Sequence, residues 1–195
     1  MTNYRTSRGF TVIELMVTLA IVAILLLVAT PSMISYKRNS ELTSATNTLF
    51  AAINTARGEA MKRGMYAMVV PTGNGTDWST GWVVFIDNDR SKTFNSSTDQ
   101  IILTQGAMPN YITVTGNGSA DGTGTAPYIM FDASGYSTQK LNAGFSALTL
   151  QVVRNDVSST LALEQTRRIK IAATGRIRTC KPLTATDTTC TATGG

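Results

Sequence analysis

The sequence predicts an α+β fold: a long, kinked N-terminal α-helix packed on an antiparallel β-sheet head. Three observations carry this. An uncharged apolar run from Leu15 to Ile34 leads into a helical periodicity that lasts to about Gly64. Beyond Gly64, eight short apolar segments alternate with Gly-, Asn- and Thr-rich turns. The chain has 195 residues, enough for one modest domain plus an anchor.

Residues 10 to about 64 read as one helix. Pro31 lacks an N–H and clashes with the preceding turn, so a kink is expected there. After Pro31 the pattern turns amphipathic. Leu42, Ala45, Leu49, Ala52, Ile53, Ala56 and Ala60 recur at spacings of three and four, so one stripe faces a core. Lys37, Arg38, Glu41, Asn47, Arg57 and Lys62 fall mostly elsewhere. Gly64 suits a C-cap, with Lys62 and Arg63 favourable in the last turn. Strands are expected at 65–70, 81–86, 100–104, 111–115, 128–132, 147–154, 167–172 and 176–180. Turns such as Thr72-Gly73-Asn74-Gly75 and Gly116-Asn117-Gly118-Ser119 separate them, and residues 116–125 form a low-complexity loop. Trp82 and Phe85 are expected in the core or on a sheet surface.

One carboxylate, Glu14, stands at the start of the apolar run. A charge in lipid costs roughly 2.5–3.5 kcal/mol even on mild insertion scales, so this carboxylate calls for a partner. A secretory signal peptide would place a small-residue cleavage site after a shorter apolar core. A plain membrane anchor needs about 20 apolar residues and leaves Glu14 unexplained. The stretch Gly9-Phe10-Thr11-Val12-Ile13-Glu14-Leu15 resembles the class III signal of type IV pilins and type II secretion pseudopilins. The resemblance implies cleavage by prepilin peptidase between Gly9 and Phe10 and N-methylation of Phe10. It also implies that Glu14 pairs with the N-terminal amine of a neighbouring subunit during filament assembly. Arg5 and Arg8 keep the N-terminal side cytoplasmic. The chain then divides into a leader at 1–9, a transmembrane and filament-core half-helix at 10–34, and a periplasmic head at 35–195.

Three head motifs resemble the GspH/FimT group of minor pilins and pseudopilins. They are Gly81-Trp82-Val83-Val84-Phe85-Ile86-Asp87-Asn88-Asp89, Phe131-Asp132-Ala133-Ser134-Gly135, and Thr174-Gly175-Arg176-Ile177-Arg178-Thr179-Cys180. The resemblance implies a type IV pilin fold and a place among other minor and major pilins, first in the inner membrane and then in an extracellular pilus.

Composition excludes several chemistries. There is no histidine, and the two cysteines are Cys180 and Cys190. That argues against a histidine-based catalytic triad and a Cys/His zinc site. No nucleophile–base pair appears, so no enzyme activity and no cofactor is expected. In an exported protein the two cysteines suggest a disulfide that holds down the C-terminal tail; two free thiols are the alternative. Asp87, Asn88 and Asp89 resemble a fragment of a calcium loop, but Arg90 and Lys92 follow where further ligands and a central glycine belong. They read as a polar turn at a strand end, and no metal site is expected.

The formal charge is +5, and removing Arg5 and Arg8 with the leader leaves +3. From residue 154 to 181 stand Arg154, Arg167, Arg168, Lys170, Arg176, Arg178 and Lys181, opposed by Asp156 and Glu164. Arg176 and Arg178 alternate on an expected strand, so both point to one face, about 6.6–6.8 Å apart. That is near the spacing of successive phosphates. Arg168 and Lys170 repeat the alternation on the preceding strand, and a turn at 173–175 would set the two pairs side by side. Guanidinium groups suit bidentate phosphate contact, and such a row predicts salt-sensitive, sequence-independent contact with double-stranded DNA. Gly175-Arg176-Ile177-Arg178 also resembles the GRxR element of FimT-like minor pilins, which bind DNA in natural transformation. By that resemblance Arg176 and Arg178 carry DNA binding, with Lys170, Arg168 and Lys181 as extensions. A solvated cationic face, or contact with acidic patches on neighbouring pilins, is the alternative. The expected function is a priming or tip minor pilin that captures DNA; the rival is a purely structural minor pilin or a type II secretion pseudopilin.

Overall fold

The computed structural model describes residues 9–73, 75–120, 126–141 and 144–194, without the side chains of Val28, Thr30 and Pro31. Residues 1–8 with Arg5 and Arg8, Asn74 of the first turn, and 121–125 of the low-complexity loop lie outside the described residues. The chain divides into two compact units, Met1–Ser40 and Glu41–Gly195. The second unit begins just ahead of Leu42, the first buried residue among the described residues of the helix.

Helix α1 runs from Val12 to Arg63 and is not ended at Pro31. In the first unit every described side chain from 9 to 37 is exposed. The helix is long and apolar enough to cross a membrane. Its described side chains from Leu15 to Ile34 thus present an uncharged, largely apolar surface, which only a lipid or protein environment satisfies.

In the second unit the expected stripe of α1 is the buried one. Leu42, Leu49, Ala52, Ile53, Ala56 and Ala60 are each fully buried. The helix ends at Gly64, whose φ of 67° favours a residue without Cβ. The Gly64 and Met65 N–H groups both bond Ala60 O, at 2.9 and 3.2 Å, satisfying a carbonyl the helix would leave open.

All eight expected strands form, displaced by at most two residues at any end. They are β1 (Ala67–Pro71), β2 (Trp82–Ile86), β3 (Gln100–Gln105), β4 (Ile112–Gly116), β5 (Ile129–Phe131), β6 (Leu148–Arg154), β7 (Thr166–Ile171) and β8 (Ile177–Cys180). A one-turn helix, α2 (Ser159–Ala162), links β6 to β7. The strands form two four-stranded sheets, ordered β3-β2-β1-β5 and β4-β6-β7-β8, and every pairing within them is antiparallel.

One hydrophobic cluster joins the α1 stripe to the inner faces of both sheets. It takes Val69, Val84, Ile86, Ile129 and Phe131 from the first sheet and Ile112, Leu148, Leu150, Val152, Ile169 and Ile171 from the second. Trp78 closes it, donating Nε1–H to Ala120 O at 3.0 Å. The first sheet also has a buried outer face of Met68, Val83, Phe85, Tyr128 and Met130. β2 is therefore buried on both sides. Trp82 faces the main core and Phe85 the outer cluster, with Phe94 from the following loop stacked on Phe85 at 5.0 Å between centroids.

Candidate functional site

Glu14 is not alone at the helix start. Its Oε2 accepts from Thr11 N–H and Thr11 Oγ1–H, each at 3.3 Å, while Glu14 N–H donates to Thr11 Oγ1 at 3.3 Å. This is a capping box: the Thr11 hydroxyl and the Glu14 carboxylate each satisfy an N–H that the first turn cannot pair. The positive end of the helix dipole adds to it. The Thr-x-x-Glu spacing was readable in the sequence and went unread there. Gly9 just ahead has a different status: a Cβ built on it meets no atom within 4 Å, and its φ is not positive. The fold places no demand for glycine at position 9.

The second candidate site is the hairpin of β7 and β8. Lys170 pairs with Arg178 and Arg168 with Cys180 across it. The turn closes through Ala172 N–H to Arg176 O at 2.9 Å and Gly175 N–H to Ala172 O at 2.8 Å. Gly175 has φ 80°, and a Cβ there would lie 1.7 Å from Gly135 O. Arg57 of α1 donates Nε–H to the same oxygen at 3.0 Å. The glycines of two head motifs are thus one contact, pinned by a helix arginine. Gly175 is required by packing, independently of any ligand.

Alternation places Arg168, Lys170 and Arg178 on the outer face of the second sheet, beside Thr149 and Gln151 of β6. Of the two pairs expected side by side, only Lys170 and Arg178 are cross-strand neighbours; Arg168 faces Cys180 and Arg176 lies in the turn ahead of β8, and the face is not open. Residues 189–194 lie across it, offering carbonyls. Arg168 donates to Cys190 O and, at 2.9 Å, to Gln151 Oε1. Lys170 Nζ donates to Thr191 Oγ1 at 2.5 Å and lies 3.4 Å from Thr191 O and Thr193 O. Arg178 Nη2 donates to Thr189 O at 2.9 Å, and Thr149 Oγ1 to Gly194 O at 2.7 Å.

The five cations expected to share one surface therefore separate. Arg176 and Lys181 are exposed and Arg178 is half-buried. Lys170 and Arg168 are 3% and 9% exposed. The expectation that Arg168 and Lys170 extend an accessible basic row is corrected here: the tail covers them, because a buried cation without a carboxylate needs carbonyl acceptors. Burial, then the charges of Arg178 and Arg168, lower the Lys170 pKa from its ordinary value.

The tail is tied down covalently and electrostatically. Cys180 and Cys190 form the disulfide, with Cα atoms 5.9 Å apart. Within the loop it closes, the Asp187 carboxylate accepts from the N–H groups of Leu183, Thr189 and Cys190 and from the Thr189 hydroxyl. Sequence reasoning saw that a disulfide would restrain the tail. It did not see that the tail covers the lysine and arginine, since nothing local in residues 189–194 encodes where they dock.

The family model described as type II transport protein GspH matches residues 45–175. That of the prokaryotic N-terminal methylation motif matches residues 4–30. No curated protein matches the sequence. Among solved structures, the type IV minor pilin FimU of Pseudomonas aeruginosa superposes with a TM-score of 0.52 at 17% identity, over 73% of this chain and 90% of that one. A second crystal form of FimU gives 0.51 at 17%, over 71% and 91%. The minor pseudopilin EpsH of the Vibrio cholerae type 2 secretion system gives 0.49 at 12%, over 74% and 99%. The FimU likeness establishes the type IV pilin fold.

Proposed function

This chain belongs to the family of the type II transport protein GspH, and from that premise we propose that it joins a type IV pilus as a priming or tip minor pilin and contacts double-stranded DNA. In this reading residues 1–9 are the leader, prepilin peptidase cuts between Gly9 and Phe10, and Phe10 is N-methylated. The absence of any steric demand for glycine at position 9 supports recognition by another protein there. The half-helix at 10–34 sits in the inner membrane before assembly and in the filament core afterwards, with the head at 35–195 periplasmic and then extracellular. Glu14 meets the Phe10 amine of a neighbouring subunit. The role is structural and not enzymatic.

One observation carries the assembly reading: an exposed apolar helix surface whose only charge from 12 to 34 is Glu14. The capping box makes the test specific. Glutamine at position 14 keeps the box, since Gln serves there as Glu does, but removes the charge. Glu14→Gln and Glu14→Ala are each expected to insert in the membrane and to fail to enter pili. Normal assembly of Glu14→Gln would reduce Glu14 to a helix cap.

DNA contact rests on Arg176 and Lys181, which are exposed, and on Arg178, which is half-buried beside Thr189 O. Full-length protein in detergent micelles is expected to bind duplex DNA without sequence preference. Arg176→Ala/Arg178→Ala is expected to flatten the log K against log salt slope by about 2. No binding by the parent protein at low salt would end this part of the reading. A structural minor pilin or type II secretion pseudopilin without DNA contact is the second reading, favoured by the Cys190 carbonyl and the Thr191 hydroxyl that already satisfy Arg168 and Lys170.

A further inference from the structure

The loop between β2 and β3 brings together three carboxylates. One oxygen from each of Asp87, Asp89 and Asp99 lies within 4.8 Å of the others. Asp89 is exposed, while Asp87 and Asp99 are 0% and 8% exposed. Asp99 stood outside the sequence motif; the fold delivers it. None of the three forms an ion pair with a described lysine or arginine. Of the nearby lysines, Lys92 Nζ bonds Lys140 O at 2.8 Å and Lys140 Nζ lies 4.4 Å from the Tyr128 ring centre; burial lowers the Lys140 pKa, and the Asp87 charge, felt without an ion pair, opposes that shift.

The second observation concerns Asp87 alone. Its Oδ2 accepts the Lys92 N–H at 3.0 Å, but its Oδ1 is fully buried and has no hydrogen-bond donor among the described residues. A wholly buried carboxylate oxygen without a donor, on a residue clustered with two further carboxylates, is costly unless something positive shares the site. The other oxygens do have donors: Asp99 takes the N–H groups of Asn88 and Asn95, and Asp89 takes Ser91 N–H and Thr98 Oγ1–H. Asp87 Oδ1 is the one left open.

The spacing matches a known oxygen cage. Counting Asp87 as position 1, Asp89 is position 3, Ser91 position 5 and the Thr93 carbonyl position 7, the ligand positions of an EF-hand loop. Position 6, which requires glycine there for a sharp turn, is Lys92, and it has φ 58°. The turn forms without the glycine. The distal acid arrives as Asp99, one residue beyond position 12. We propose that this loop binds one calcium ion through Asp87 Oδ1, Asp89 and Asp99, while the Ser91 hydroxyl donates to the Thr93 carbonyl at 3.0 Å and so braces the turn. Calcium suits a flexible all-oxygen loop, whereas magnesium demands near-ideal octahedral geometry. The ion ties down the segment whose Phe94 covers Phe85, so it stiffens the outer cover of the first sheet.

The test is calorimetric titration of full-length protein in detergent micelles, stripped with EGTA, against calcium chloride and separately magnesium chloride. The expected result is one calcium per chain with a dissociation constant of roughly 10⁻⁴–10⁻³ M, the range of extracellular modules, and a calcium-dependent rise in melting temperature. Asp89→Ala changes an exposed side chain, and Asp99→Asn keeps its shape; each is expected to weaken binding at least about tenfold. Absence of binding up to millimolar calcium, binding unchanged in both variants, or magnesium bound as tightly as calcium would each overturn the assignment.

Discussion

On the outer face of the β3-β2-β1-β5 sheet stand Met68, Val83, Phe85, Tyr128 and Met130; on that of the β4-β6-β7-β8 sheet stand Arg168, Lys170 and Arg178. Both faces are covered by a segment without regular structure. The loop after β2 lays Phe94 on Phe85, and the C-terminal tail lays carbonyls and the Thr191 hydroxyl on the cations. The covers work by different physics. Apolar burial is non-directional and scales with area removed from water, so the first cover tolerates small shifts. Buried cations must meet acceptors one by one, so the second works in one register only and is held there by Cys180–Cys190. The first cover works through the area that Phe94 removes from water, while the second hangs on a few bonds and can be released as a unit.

The largest expected effect breaks the apolar cover. Phe85→Ala should cost about 3–5 kcal/mol, read by urea unfolding through the buried Trp78 and Trp82, while amide protection in β7 and β8 stays unchanged. A cost below about 1 kcal/mol would mean that Phe94 and its loop do not cover that face in solution.

Cys180→Ser/Cys190→Ser acts on the other side. Its expected cost is about 2–3 kcal/mol, as for short disulfide loops. Hydrogen exchange should accelerate at 189–194 and along β8 while the first sheet is untouched. Unchanged protection at 189–194 would show that the carbonyl bonds hold the tail without the disulfide.

The smallest effect is a matter of pH. The Leu183 N–H foremost, then the Thr189 hydroxyl and the N–H groups of Thr189 and Cys190, hold the Asp187 pKa well below its ordinary 3.8. A carboxylate with a lower pKa folded than unfolded binds fewer protons when folded. Its contribution is therefore complete above about pH 4 and fades as pH falls through the folded value. The amide resonances of Thr189 and Cys190 should stay fixed from pH 6 to 4 and move only below that. A midpoint at 3.8 would contradict the turn.

How far the sequence reaches can be judged on particular residues. The stripe from Leu42 to Ala60 and all eight strands were legible, because side-chain periodicity is a local property of the backbone that any 10-residue window displays. The Thr11–Glu14 box was equally local and is a matter of knowing the spacing. The partition of eight strands into two sheets was not legible, since each strand's alternation is the same whichever neighbour it pairs with.

The same divide runs through the candidate sites. Residue types and spacings alone determined the apolar anchor with its one carboxylate, the Arg176–Arg178 alternation and the single possible disulfide. Tertiary structure decided which cations remain accessible, why Gly175 must be glycine against Gly135 O, and that Asp99 joins Asp87 and Asp89. Each of those depends on segments far apart in the chain meeting at contact distance. Burial and hydrogen-bond satisfaction are properties of that meeting, and no local pattern records them.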